Sequence, residues 1–140
     1  MIKKTGLIFL LFVLVNSLGI STAQARAAKP LLNPGPTEWG CTLSMSEVEK
    51  GIDTGLLLKE WRPSDKKTGY TQGNITVRGK HTLVVDINYT ENAFEIKYKS
   101  SDNLKHSITS EGVEKIHPNA NSWMSNLNHA ITTVLKEKCS

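Results

Sequence analysis

Between Ile75 and Tyr98 the apolar residues fall on every second position. Ile75 and Val77 share one side of a segment that starts near Gln72, with Asn74, Thr76 and Arg78 on the other. Leu83, Val85, Ile87 and Tyr89 then alternate with Thr82, Val84, Asp86 and Asn88. Phe94, Ile96 and Tyr98 alternate with Glu95, Lys97 and Lys99. A period of two is that of a pleated strand, whose successive side chains point to opposite faces. Arg78-Gly79-Lys80 and Thr90-Glu91-Asn92 supply the turns between these runs. Such short connections predict an antiparallel meander with a dry face and a wet face, the wet one carrying Thr82, Asp86, Glu95, Lys97 and Lys99.

On either side of the meander the period changes to that of a helix. Met45, Val48, Ile52 and Leu56 follow Ser44-Met45-Ser46-Glu47, a capping-box spacing with Ser at the N-cap and Glu at N3. This predicts a helix over about 45–59, ending before Trp61. Trp61-Arg62 opens a short strand that Pro63 confines to a sheet edge, and Ser64–Gly69 reads as a loop. Trp123, Leu127, Ala130, Ile131, Val134 and Leu135 form the stripe of a second helix reaching about Lys138, with Asn119 or Asn121 as its N-cap. Residues 100–112 are polar and predict no element. The expected fold class is α+β: a two-layer domain with an antiparallel three- to four-stranded meander and an N-terminal and a C-terminal helix packed on one face.

The N-terminus changes the picture of where this domain works. Lys3-Lys4, an apolar run from Leu7 to Val15 and Ala23-Gln24-Ala25 together match a secretory signal peptide, residues 1–25, cleaved after Ala25. The apolar run is shorter than the roughly 20 residues that span a bilayer, so no membrane span is expected in the mature chain. Residues 26–40 hold three of the five prolines and read as an extended leader, followed by a single domain at 41–140. Cleavage removes Lys3 and Lys4 and no acid, which leaves 15 basic and 13 acidic residues. With no dense Lys/Arg cluster, nucleic-acid binding is not expected. In an exported chain the two cysteines, Cys41 and Cys139, most simply make one disulfide that closes nearly the whole domain. The expected location is periplasmic or secreted, as a monomer.

Familiar catalytic signatures are absent: there is no G-x-S-x-G, H-E-x-x-H, Walker loop or Rossmann fingerprint. His81, His106, His117 and His129 are never three or four residues apart, so no metal site and no cofactor are expected. Arg78 and His81 flank a turn, where a planar guanidinium fork and a pH-sensitive donor suit an anion. The plain alternative is a solvated hairpin tip with Arg78 paired to a nearby acid. Ser101 and Asn103 leave the third strand, and His117, Asn119, Asn121 and Trp123 enter the last helix. If these two segments meet, they form a polar pocket at one end of the sheet; otherwise they are caps and Asx turns.

These residues also carry a resemblance. Arg78 and His81 make R-x-x-H; Ile96, Tyr98, Ser101, Asn103 and Leu104 make I-x-Y-x-x-S-x-N-L. Ile116, His117, Pro118, Asn119, Asn121, Trp123, Asn126 and Leu127 make I-H-P-N-x-N-x-W-x-x-N-L. Over about residues 41–135 the chain resembles a group of small uncharacterised exported proteins and lipoproteins of Gram-negative bacteria. It departs from them at Ala120, where an aromatic is usual, and at Glu60, where Gly usually precedes the Trp. The resemblance implies a small periplasmic α+β domain and no particular reaction. The function expected is that of a non-enzymatic binding or accessory protein of the cell envelope, its partner an envelope protein, glycan or small ligand. The alternatives are a small hydrolase-like enzyme using His81 or His117, and a secreted inhibitor.

Overall fold

The alternating segment forms the middle of a five-stranded antiparallel sheet. The structure is a computed structural model and describes residues 27–140; the expected signal peptide lies outside the described residues. In chain order the strands are β1 (Lys29–Pro30), β2 (Thr37–Glu38), β3 (Arg62–Lys67), β4 (Tyr70–Val77), β5 (His81–Tyr89), β6 (Ala93–Asp102), β7 (Ser107–Ile108) and β8 (Glu114–Ile116). Helix α1 (Met45–Leu58) lies between β2 and β3, and α2 (Pro118–Glu137) follows β8. The larger sheet has the order β2-β6-β5-β4-β3, and a smaller one the order β1-β8-β7. The fold is α+β, as the patterning implies, with more strands than the meander alone supplies.

The strand count differs because short polar pieces also pair. Lys29 and Pro30 pair with Ile116 and Lys115, and Thr37 and Glu38 with Phe94 and Ala93. The leader is therefore extended but stitched to both sheets. The expected loop at Ser64–Gly69 is mostly strand, since β3 runs to Lys67 and the turn is confined to Thr68-Gly69. Its Pro63 and charged Asp65, Lys66 and Lys67 suit an unpaired edge. Residues 107–108 and 114–116, within and just after the polar stretch, form β7 and β8.

The dry face holds Ile75, Leu83, Val85, Ile87, Phe94 and Ile96, which join Val48, Ile52 and Leu56 of α1 and Met124, Leu127, Ile131 and Leu135 of α2 in one core. The helices meet closely. A Cβ on Gly55 would lie 2.9 Å from the Cα of Ile131, so only glycine allows this approach of α1 to the α2 backbone. The disulfide between Cys41 and Cys139 joins the entrance of α1 to the exit of α2. Between β5 and β6, Val84 pairs with Ser100 but Val85 with Tyr98, so Lys99 is the extra residue of a bulge. That bulge brings Ser101 to the Leu83 side of the sheet, the side of Tyr98.

Helix α1 begins as expected: the Ser44 hydroxyl accepts from the Glu47 N–H and the Glu47 carboxylate accepts from the Ser44 N–H. Its end is a Schellman motif. The Trp61 N–H donates to the Leu56 carbonyl and the Glu60 N–H to the Leu57 carbonyl. Glu60 must then adopt φ +65°, a left-handed conformation that suits glycine. Glu60→Gly is expected to stabilise the protein by about 1 kcal/mol, read as a higher urea midpoint with an unchanged slope. A lower midpoint would show that the carboxylate contributes more than the strained backbone costs.

Helix α2 starts two residues before the earlier of the two asparagine caps expected. His117 is the N-cap, its Nδ1 accepting from the Asn119 N–H at 3.1 Å, and Pro118 takes the first helical position. Proline suits that place because its fixed φ is helical and its missing N–H would have no helical partner. Asn119 and Asn121 are inside the helix rather than capping it. Ala120 is fully buried in the core.

Candidate functional site

The turn between β4 and β5 places the first functional side chains. The Lys80 N–H donates to the Val77 carbonyl, and both central residues are left-handed, Arg78 at φ +55° and Gly79 at +68°. This is the turn geometry that matches strand twist in a tight hairpin. It holds Arg78 and Lys80 at the end of the sheet. Next in the chain, His81 Nδ1 lies 2.8 Å from the Asn103 carbonyl. A carbonyl only accepts, so Nδ1 carries the proton and the neutral ring keeps its lone pair on Nε2.

The chain leaves β6 through Asn103 and Lys105, both left-handed at φ +55° and +54°, with Leu104 between them. Leu104 is buried, and its carbonyl accepts from the His117 N–H at 2.7 Å. That bond joins the exit of β6 to the entrance of α2. Because His117 Nδ1 accepts the Asn119 N–H, the proton of its neutral ring sits on Nε2. The two imidazoles thus hold opposite tautomers, each fixed by a backbone group.

These segments border an open cavity of about 720 Å³, lined by Val77, Arg78, Lys80, His81, Asn103, Leu104, Lys105, His117, Asn119 and Trp123, of which Arg78, Lys80, Asn103, Lys105 and Asn119 are exposed. The strand exit and the helix entrance do meet. Of the eight residues the sequence offered, Arg78, His81, Asn103, His117, Asn119 and Trp123 line the cavity, while Ser101 and Asn121 do not. The Ser101 hydroxyl is 2.8 Å from the Tyr98 hydroxyl, and the Tyr98 ring stacks on His106. Asn121 clamps the leader: its Nδ2 donates to the Pro30 carbonyl and its Oδ1 accepts from the Leu32 N–H, both at 2.9 Å.

Sequence reasoning missed Val77, Lys80, Leu104 and Lys105. Lys80 had a visible signal, since it shares a three-residue turn with Arg78. Lys105 had none, as it follows the strand with no periodic neighbour.

The lining contains three side chains cationic at neutral pH and no carboxylate. Among the described residues, neither Arg78 nor Lys80 forms an ion pair. The simpler expectation of Arg78 paired to an acid therefore does not hold. Asp86, the nearest acid in sequence, is paired with Lys99 and bonded by the Tyr70 hydroxyl, and Asp102 lies in register with Thr82 on the opposite face. Trp123 packs against the core and is half-buried, so part of its indole remains accessible at the cavity.

Two other clefts differ in kind. One of about 370 Å³ holds Glu49, Lys66 and Tyr89. There Lys66 is paired with Asp53 and Glu49, and its hydrogen bond to Asp53 holds its pKa above the usual lysine value. Burial likewise pushes the Tyr89 hydroxyl up. The Lys66 and Glu49 charges of this cleft are thus paired, while its Lys67 lies over the Tyr70 ring. Another, of about 520 Å³, is a neutral groove between Leu32–Pro34 and the outer face of α2. Two of its carboxamides, Asn121 and Asn128, already bond to the leader, Asn128 through the Thr37 hydroxyl.

Among the described residues, no three His, Cys, Asp or Glu side chains are grouped to hold a metal ion, and no helix is long and apolar enough to cross a membrane. The disulfide is compatible with an exported protein. Comparison of the chain with protein-family models, with curated proteins and with solved structures finds no match in any of the three.

Proposed function

We propose that this chain is an exported, non-enzymatic binding domain of the cell envelope, and that the cavity at the end of its sheet takes an anionic ligand. One observation carries the reading: Arg78 and Lys80, neither of them in an ion pair among the described residues, line a single cavity to which no carboxylate of the described residues contributes. An anion there gains charge-assisted hydrogen bonds and a planar guanidinium partner. Two imidazoles and two carboxamides add further polar groups to the lining. Among the described residues the same lining has no hydroxyl, thiol or carboxylate side chain, so it offers no Ser, Thr or Cys nucleophile and no acid pair beside His81 or His117. Export is supported by the N-terminal signal pattern and by the disulfide.

Titration calorimetry with inorganic pyrophosphate tests this reading. Binding is expected at low ionic strength and is expected to weaken as salt rises. Arg78→Gly removes the guanidinium at a φ of +55° that glycine adopts freely, so folding is retained. Its affinity is expected to fall by about 10- to 100-fold, the worth of a hydrogen bond to a charged group. Absence of binding, or binding that Arg78→Gly leaves unchanged, removes the reading.

A further inference from the structure

The cavity has features that a small inorganic anion leaves unused. At about 720 Å³ it lies in the size range of sites for organic small molecules. Its unpaired cations, among the described residues, are Arg78 and Lys80 on the turn, so positive charge is concentrated at one end of the cavity. Asn103 and Asn119 each present a carboxamide, which can donate and accept, and His81 and His117 add one ring each. Trp123 contributes an indole to the same cavity.

We infer that the ligand is a saccharide bearing phosphate or carboxylate. This rests on the anion-binding reading above and narrows it. A sugar ring has an apolar C–H face and a rim of hydroxyls that both donate and accept. The indole suits the face, the carboxamides and imidazoles suit the rim, and the cations suit the anionic group. A nucleotide is the competing occupant that the test separates, since a base also stacks on an indole.

The test is a titration followed by tryptophan fluorescence and calorimetry. Trp39 and Trp61 are 3% and 1% exposed, so a ligand-induced change reports on Trp123. The probes are glucose 6-phosphate, glucuronic acid, oligogalacturonate, glucose, inorganic phosphate and adenosine monophosphate. Glucose 6-phosphate is expected to bind at least about tenfold more tightly than inorganic phosphate or glucose and to change the Trp123 emission. Trp123→Leu keeps an apolar side chain against the core and is expected to erase the advantage of the sugar while leaving phosphate affinity unchanged.

Tighter binding of oligogalacturonate than of glucuronic acid would support the inference with a glycan chain as the source. Equal binding would support it with a free sugar acid as the source. Phosphate binding as tightly as glucose 6-phosphate overturns the saccharide and leaves the anion site standing. Adenosine monophosphate binding more tightly than glucose 6-phosphate also overturns it, in favour of a stacked base. Failure of every anionic probe removes the anion site and the saccharide together.

Discussion

Cys41→Ser/Cys139→Ser is expected to lower the free energy of unfolding by about 4–5 kcal/mol. The bond joins residues 98 positions apart. In the chain-entropy account, closing a loop of about 100 residues removes that much freedom from the unfolded chain. A domain of this size has only about 5–15 kcal/mol in total, so the loss is a large fraction of the whole. Position adds to the effect. Cys41 lies just before α1 and Cys139 just after α2, the two helices that cover the sheet. The Gly55–Ile131 approach still holds them together in the reduced protein, so the variant is expected to fold with a lower urea midpoint. Reduction of the unaltered protein should reproduce most of the shift. A loss below about 1 kcal/mol would mean that the unfolded chain is compact without the bond.

What the sequence made legible is what periodicity and capping chemistry encode. Leu83, Val85, Ile87 and Tyr89 all lie in the core, because alternation over nine residues leaves only one face to bury. Ser44 and Glu47 form the capping box that their spacing announced. Strands of two or three residues, such as β1, β2, β7 and β8, cannot show a period, and Lys29–Pro30 or Glu114–Ile116 pair only because the rest of the chain brings them together.

At the site, Asn103 and His117 were visible as polar residues flanking regular elements. Their meeting depends on one long-range bond from the His117 N–H to the Leu104 carbonyl. The start of α2 was misread although Pro118 carried a signal for it, since proline favours the first helical position. Ser101 lies outside the lining with its hydroxyl 2.8 Å from that of Tyr98, a contact the sequence does not mark, and Asn121 is taken up by the leader, where nothing shows that a clamp is needed.

Trp61→Ala is expected to destabilise the protein by about 3–5 kcal/mol. The side chain is 1% exposed and is among the largest fully buried ones. It follows the end of α1, where its N–H closes the Schellman motif on Leu56. In this motif an apolar contact commonly joins the same two positions. Leu56 and Trp61 both approach Gly73 of β4: a Cβ built there would meet Leu56 Cδ2 at 2.9 Å, Val85 Cγ2 at 3.1 Å and Trp61 Cε3 at 3.3 Å. The indole therefore packs over a backbone that has no side chain of its own. Removing it leaves a void that Gly73 cannot fill and that Leu56, fixed on a helix, fills only in part. Trp61→Phe keeps an aromatic ring against Gly73 and is expected to lose clearly less. Urea unfolding of both variants measures the difference. Equal losses for Ala and Phe would show that the indole nitrogen and its ring edge, rather than the filled volume, hold the end of α1 to the sheet.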